Sequence, residues 1–338
     1  MRTPLSSPLL GRLLRVLLAA LCLAACAPAA KPRPELTPEA TKEAELQREF
    51  ALESLLERQD RLNALGYTMI TANEPLCRQR GRVRKSLGLT ADYFNTRDSK
   101  EWLPVLSKKW GVGENTIVVT GVVPGSAAAK AGVLRGDVIT SMGVKAGHTG
   151  KRLNVTQEMD DMSAKGPVTL KLLRAGKTVS VTIPAPVDVC DSRFVVRIGD
   201  AVNAYADGKN VIVTYGIMNL YSKDEDLAVV LGHELAHNIL GHARKDESGK
   251  MVPSTPEKEA EADAVGLYFT ARAGFSIENA PNVWRRMAAQ NPAHIRGSLV
   301  HPSSASRFVD MEAIKNEIMQ RQAAGLPLIP KPRVVPGQ

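Results

Sequence analysis

Hydrophobic and polar positions change rhythm several times along the chain, and each change predicts a different element. From Val16 to Leu23 the residues are uninterruptedly apolar, behind Arg2, Arg12 and Arg15. A basic start followed by a short apolar run is the layout of an export signal. Glu39 to Leu65 is rich in strong helix formers, with Leu46, Phe50, Leu56 and Leu62 leaning to one face, which predicts an amphipathic helix. Gly66 interrupts that pattern, and Tyr67 to Leu76 is expected to form a separate helical or irregular piece. From about Asn115 to Pro184 the rhythm shortens to β-rich runs, TIVVTGVV, GDVITSMG, PVTLKLLRAG and KTVSVTIPA, around one helical stretch at Val155 to Ser163. After Asp191, RFVVRI, AVNAYA and NVIVTY read as a hairpin-like group, with Asp207 and Gly208 suited to a tight turn. Helical periodicity then runs to about Arg321, and the Pro-rich tail from Leu326 to Gln338 is expected to stay loose.

Within the β-rich region, VVPGSAAAKAGVLRGDVI, Val122 to Ile139, resembles a PDZ domain. Pro124 and Gly125 make a turn, the alanines open a short helix, Gly132 ends it, and Gly136 and Asp137 turn into the next strand. The resemblance implies a module that accepts an extended peptide as an added strand and receives its C-terminal carboxylate on backbone N–H groups. The alternative is a spacer that binds nothing. WGVGENTIV carries no usual carboxylate-loop signature, so no PDZ ligand residues are assigned.

Composition changes the picture mainly through compartment. A chain of 338 residues, 44% apolar, suits two compact domains plus extensions. LAAC, Leu23 to Cys26, resembles a bacterial lipobox, which implies that Cys26 is acylated and that acyl chains tether the protein to a membrane. An ordinary signal peptide cleaved near Ala27 to Ala30, or an uncleaved anchor, is the alternative. Ala27 stands where an aspartate would mark inner-membrane retention, so the same resemblance implies the outer membrane, facing the periplasm. The formal charge of +9 becomes milder without residues 1–25, at 41 basic against 35 acidic side chains. Its one dense cluster, CRQRGRVRK from Cys77 to Lys85, reads as a solvated basic loop, with lipid headgroups or nucleic acid as its alternative partners. An exported protein rarely meets nucleic acid, and none is expected here. Cys77 and Cys190 remain once Cys22 and Cys26 are assigned to the signal. In an oxidising compartment they are expected to pair, with two buried thiols as the alternative. Paired, they would make the PDZ unit an insertion with its two ends held together.

The chemistry sits in YSKDEDLAVVLGHELAHNILGH. Ser222 and Glu225 have capping-box spacing, and the acids at 224–226 suit a helix N-terminus. On that helix His233 and His237 lie one turn apart on one face and can converge on one ion. Glu234 is displaced by about 100° around the axis, beside the ion, where it can take a proton from an attacking water. Two imidazoles alone bind zinc poorly, so a third protein ligand is required. His242 fails on geometry because Gly241 is expected to end the helix first; it reads as a capping or surface histidine. PEKEAEADAVGLYFTARAGF, Pro256 to Phe275, offers Glu259 and Asp263 four apart on one helical face, with Glu261 pointing elsewhere.

HELAH paired with EAEAD resembles the HtpX and BepA group of gluzincins, related to the CAAX prenyl endopeptidases. The resemblance implies that Glu259 is the third zinc ligand and that Asp263 orients a ligand histidine; Glu261 is the alternative ligand. NAYADGKNVIVTYGIM is similar to the hairpin that precedes the zinc helix in that group, an edge for substrate backbone. HPSSASR, His301 to Arg307, is similar to the group's HP…R segment: His301 donates to the oxyanion, closes over the zinc, or is structural, and Arg307 braces the site.

The expected fold is α+β, a mainly helical zincin-type metallopeptidase domain with a small β-hairpin sheet, interrupted by a β-rich PDZ domain. Its expected divisions are residues 1–25 lipoprotein signal peptide, 26–38 linker, 39–110 N-terminal helical part, 111–186 PDZ domain, 187–324 metallopeptidase domain and 325–338 flexible tail. The expected function is a lipid-anchored endopeptidase with one Zn2+ per chain, acting on misfolded or misassembled envelope proteins recruited through the PDZ domain. A PDZ-bearing chaperone or assembly lipoprotein with a latent zinc site is the alternative, and a metal-storage lipoprotein a weaker third.

Overall fold

The computed structural model describes residues 36–94, 102–142, 155–296 and 303–331. Cys26 and His301 lie outside these residues, as does the whole expected signal segment. The chain divides into two units, residues 1–47 and 48–338. The described part of the first carries the beginning of one helix, and the second carries the remainder of that helix together with every other described element.

Helix α1 (Pro38–Ala72) is continuous. Gly66 was expected to break it, but stays helical and faces Phe194, whose ring leaves no room for a Cβ. Leu56 and Leu62 are buried as the apolar stripe predicted, whereas Leu46 and Phe50 are exposed, because burial on this helix begins at Leu52. The short α2 (Glu74–Arg78) leads to strands β1 (Val83–Ser86) and β2 (Leu89–Phe94), then to α3 (Leu103–Trp110).

Next along the chain come β3 (Thr116–Val122), α4 (Ala127–Lys130), β4 (Val138–Ser141), α5 (Val155–Ala164), β5 (Val168–Arg174) and β6 (Lys177–Ile183). Strands β2 to β6 form a five-stranded antiparallel sheet in sequence order. This moves the expected boundary at residue 111: β2, assigned to the N-terminal helical part, pairs with β3 along its whole length. Leu89, Ala91 and Tyr93, which pack on the core of this sheet, alternate with the polar Thr90 and Asp92 as in any half-buried strand. In β5 the alternation is clean, with Val168, Leu170 and Leu172 buried between exposed neighbours, and these pack with Leu87, Val119, Ile139 and Ile183 into a core of their own. The buried Asp137 accepts two hydrogen bonds of 2.7 Å from Arg174 and one of 2.9 Å from the Leu134 backbone N–H, which fixes the turn before β4.

Strand β7 (Val187–Cys190) returns antiparallel to β1, with Val83 opposite Cys190. Cys77 and Cys190, 113 positions apart, form a disulfide. The basic cluster beside it is a solvated loop at Arg78–Gly81, as expected, and is drawn into structural contacts from Arg82 on. Arg78 pairs with Glu74 and Asp188, Arg82 donates to the carbonyls of Gly208 and Asn238, and Arg84 is held at 3.6 Å from Asp160 of α5.

Strands β8 (Arg193–Arg197), β9 (Ala204–Ala206) and β10 (Asn210–Thr214) form a three-stranded sheet in the order β8-β10-β9. The β9–β10 hairpin turns at Asp207, whose carboxylate accepts from the N–H groups of Lys209 and Asn210. β8 runs parallel to β10 instead of continuing a meander. The helices are α6 (Tyr215–Leu220), α7 (Asp224–Leu240), α8 (Pro256–Arg272), α9 (Asn282–Gln290), a single 3-10 turn at Pro292–Ile295, and α10 (Ser304–Ala323). Helix α7 runs through the centre of the largest core, with Leu227, Leu231 and Leu235 fully buried, as expected of a helix apolar nearly all round. The fold is α+β. Among the described residues no helix is long and apolar enough to cross a membrane.

The expected loose tail is partly tied down. Arg321 donates to the Pro327 carbonyl at 2.7 Å, Arg272 to that of Leu328 at 3.2 Å, and Leu328 packs on the core. The loop closed by Cys77 and Cys190 constrains the unfolded chain strongly. Replacing both cysteines by serine should therefore lower unfolding free energy by about 2–5 kcal/mol, measured by urea titration under oxidising conditions.

Candidate metal centre

Helix α7 begins at Asp224 with Lys223 as its N-cap and no side-chain cap, so the capping box expected from Ser222 does not form. Arg61 instead fastens this end to α1, donating to the Asp224 carboxylate at 2.7 Å and to the Ser222 carbonyl at 2.9 Å. The acidic first turn still complements the helix dipole. Helix α8 starts under a Thr255 cap, with Pro256 in its first turn.

These two helices cross at two glycines. A Cβ on Gly232 would lie 2.4 Å from the Gly266 carbonyl oxygen, and one on Gly266 would lie 2.6 Å from the His233 nitrogen. No side chain separates the backbones there. The Thr270 hydroxyl sits at the crossing, 2.9 Å from the Gly266 carbonyl oxygen of its own helix and 3.2 Å from that of Ala228 on α7.

Because the helices approach so closely, Glu259 on α8 reaches the two histidines of α7. His233 Nε2 lies 3.1 Å from His237 Nε2 and 3.4 Å from Glu259 Oε2, and His237 Nε2 lies 3.4 Å from Glu259 Oε1. A tetrahedral ion with ligands about 2.0–2.1 Å away separates them by about 3.3 Å. The two nitrogens, and each nitrogen with one of the two Glu259 oxygens, are thus separated by about a tetrahedral edge. Among the described residues, His233, His237 and Glu259 are the group able to hold a metal ion, and all three are buried. The chemistry of the donor set agrees: Glu259 and Asp263 are buried together with the guanidinium of Arg307, and two imidazoles with a carboxylate are a zinc-binding set.

Around these donors the packing fixes orientation. Asp263 Oδ1 accepts from His233 Nδ1 at 2.9 Å. Arg307, on α10, grips both Asp263 oxygens at 2.7 Å and stacks 3.3 Å over the Trp284 ring, which in turn meets His233 edge-on at 5.5 Å. Burial opposes protonation of His233, but its bonds to Asp263 and Glu259 prevail and lift it to about 9 in the protein alone. Burial drives His237 down to about 4, the neutral form that coordination requires. Burial, reinforced by the charge of Glu259, pushes the Glu234 carboxyl up to about 7, against a hydrogen bond from the Ala206 backbone of β9.

The donors open into a cleft of about 680 Å3, walled by Val202–Ala206, His242–Ala243, Met251–Val252, Trp284 and Arg307. Asn238 positions its β wall. Buried on α7, it accepts from the Gly208 N–H at 2.7 Å and donates to the Asn210 carbonyl at 3.0 Å, anchoring the β9–β10 hairpin.

Two expectations change here. His242 is buried, 8% exposed, with its ring against His237, because the chain turns back after Gly241 instead of leaving the helix toward solvent. Glu261, the alternative ligand, lies outside the converging trio and pairs with His242 at 3.2 Å. Trp284 and Asn238 have no motif that marks them; the fold alone brings them to the site. A separate groove of about 230 Å3 lies between α5 and β2, with Ser86–Gly88 among its lining residues.

Residues 180–256 match Peptidase family M48, and residues 94–184 match the PDZ domain. The first match contains His233, Glu234 and His237 but stops before Glu259, so the third donor rests on geometry. A mitochondrial metalloendopeptidase OMA1 of Saccharomyces cerevisiae is 26% identical over 31% of this chain and 40% of its own length. That of Schizosaccharomyces pombe is 27% identical over 43% of this chain and 52% of its own length. The chain thus spans about half, or less, of these curated relatives. A solved HtrA-type protease AlgW with decapeptide shares 24% identity over 31% of this chain and 29% of that one, at a TM-score of 0.22.

The helix crossing tolerates no added volume. Gly266→Ala should lower stability by about 1–3 kcal/mol and reduce bound zinc per folded chain; thermal melting and metal analysis check both.

Proposed function

We propose that this chain is a zinc-dependent endopeptidase, with His233, His237 and Glu259 holding one zinc ion. The observation that carries the reading is the convergence of these three donors at tetrahedral spacing, with the Glu234 carboxylate beside them on the floor of a cleft. The match to Peptidase family M48 and the likeness to mitochondrial metalloendopeptidases support it.

Zinc, when bound, supplies Lewis acidity that polarises the scissile carbonyl and acidifies water. Glu234 takes the proton of the attacking water and delivers it to the leaving amine, as suits a carboxyl that burial raises to about 7. Asp263, clamped by Arg307, keeps the His233 ring turned to the centre. Strand β9, the outer strand of its sheet and part of the cleft wall, offers its backbone to an extended substrate as an added strand. His301 remains a candidate for contact with the reacting oxyanion on the strength of the family resemblance.

In the fuller reading the protein is an HtpX- or BepA-like lipoprotein, acylated at Cys26, resident at the outer membrane and facing the periplasm. It degrades misfolded or misassembled envelope proteins brought to it by the PDZ groove. The signal layout and the LAAC segment support the anchor.

Glu234→Gln should keep one zinc per chain and lower kcat on an unfolded protein substrate by about 10²–10⁴-fold. Equal degradation by wild type and this variant would favour the chaperone reading instead. Glu259→Ala should purify without zinc; full metal content in that variant would refute the ligand set.

A further inference from the structure

We propose that His242 and Glu261 are positioning residues, a hydrogen-bonded relay that sets the tautomer and orientation of His237. The inference rests on the proposed metal site and adds two residues to it.

The relay begins as a helix ending. Gly241 adopts φ 73°, a left-handed conformation in which a Cβ is strained, and the His242 N–H returns to the His237 carbonyl at 2.9 Å. This is the bonding of a Schellman turn. It folds the residue five places on back over His237 and sets the two rings 5.2 Å apart at 70°.

The proton positions follow from chemistry. For His237 Nε2 to present its lone pair with those of His233 and Glu259, its proton must sit on Nδ1. That N–H has His242 Nδ1 at 3.2 Å as its acceptor. An accepting Nδ1 leaves the His242 proton on Nε2, which donates at 3.2 Å to Glu261 Oε2. Each link thus has one donor and one acceptor. The arrangement repeats what Asp263 does for His233, where the carboxylate accepts from Nδ1 directly and Arg307 holds it. The two ligand histidines are oriented by separate arms, both ending on carboxylates of α8. The His242 arm is the softer one, since a neutral ring stands between ligand and carboxylate and Glu261 is 40% exposed.

Zinc dissociation constants of the purified full chain, measured by competition with a chromophoric chelator, test the relay. His242→Phe fills the space without an acceptor and should weaken zinc about 10–100-fold. His242→Asn, which returns an acceptor oxygen, should recover most of the loss. Glu261→Leu should weaken zinc several-fold, and Glu261→Gln, which keeps an oxygen acceptor, less. A merely structural histidine would lower the melting temperature of metal-free and zinc-loaded protein alike and leave affinity unchanged. A folded His242→Phe variant binding zinc within about twofold of wild type overturns the relay. Should that variant fail to fold, the Glu261 pair decides: affinity equal to wild type in both overturns it. Zinc retained by Glu259→Ala would instead sink the underlying site, which separates the two failures.

Discussion

Everything at the metal centre depends on how closely two helix backbones approach. Helices in ordinary side-chain contact have axial separations of about 8–10 Å, and here the ligands come from two helices whose backbones touch. Gly232 and Gly266 remove the side chains from the contact, so carbonyl and amide groups of α7 and α8 meet directly. One residue after Gly232 stands His233; seven residues before Gly266, two turns along the same face, stands Glu259. The crossing therefore serves as the ruler that sets the donor separations near 3.1–3.4 Å.

That closeness creates an electrostatic demand. Enclosing Glu234, Glu259 and Asp263 around two imidazoles is costly unless positive charge accompanies them. Arg307 answers part of it with a bidentate bond to Asp263 and a stacked contact on Trp284, a geometry a lysine could not reproduce. A zinc ion held by His233, His237 and Glu259 would add the charge of a divalent cation to that balance. The positions where coordination, orientation and counter-charge are supplied come from three helices, so the centre is assembled only when α7, α8 and α10 have all docked.

The PDZ-like sheet is joined to this body by more than a tether. The disulfide and the β1–β7 pairing close the insertion at its base. Above that base Asp160 of α5 pairs with Arg193 of β8 and with Arg84, while Gln59 and Asn63 of α1 line the same groove as Ser86–Gly88. The groove is thus built from both parts, and β8, which borders it, belongs to the sheet whose opposite edge borders the metal cleft.

The sequence by itself determined what depends on local spacing. His233 and His237 share a helix face because four residues make about one turn; Glu259 and Asp263 share another for the same reason; the alternation in β5 and the turn residues of α4 are likewise local. Tertiary structure decided whatever depends on distance in sequence. LTADYF finds its place in the sheet by pairing with β3, Gly66 is closed against the Phe194 ring, and Arg78, Arg82 and Arg84 find partners on β7, the β9–β10 hairpin and α5. His242 shows the limit most plainly: its local code, a glycine ending a helix, was legible, yet the direction of the returning chain and the carboxylate waiting across the helix crossing were not. Periodicity records which face a residue takes on its own element, whereas its partners follow from how close another element can come.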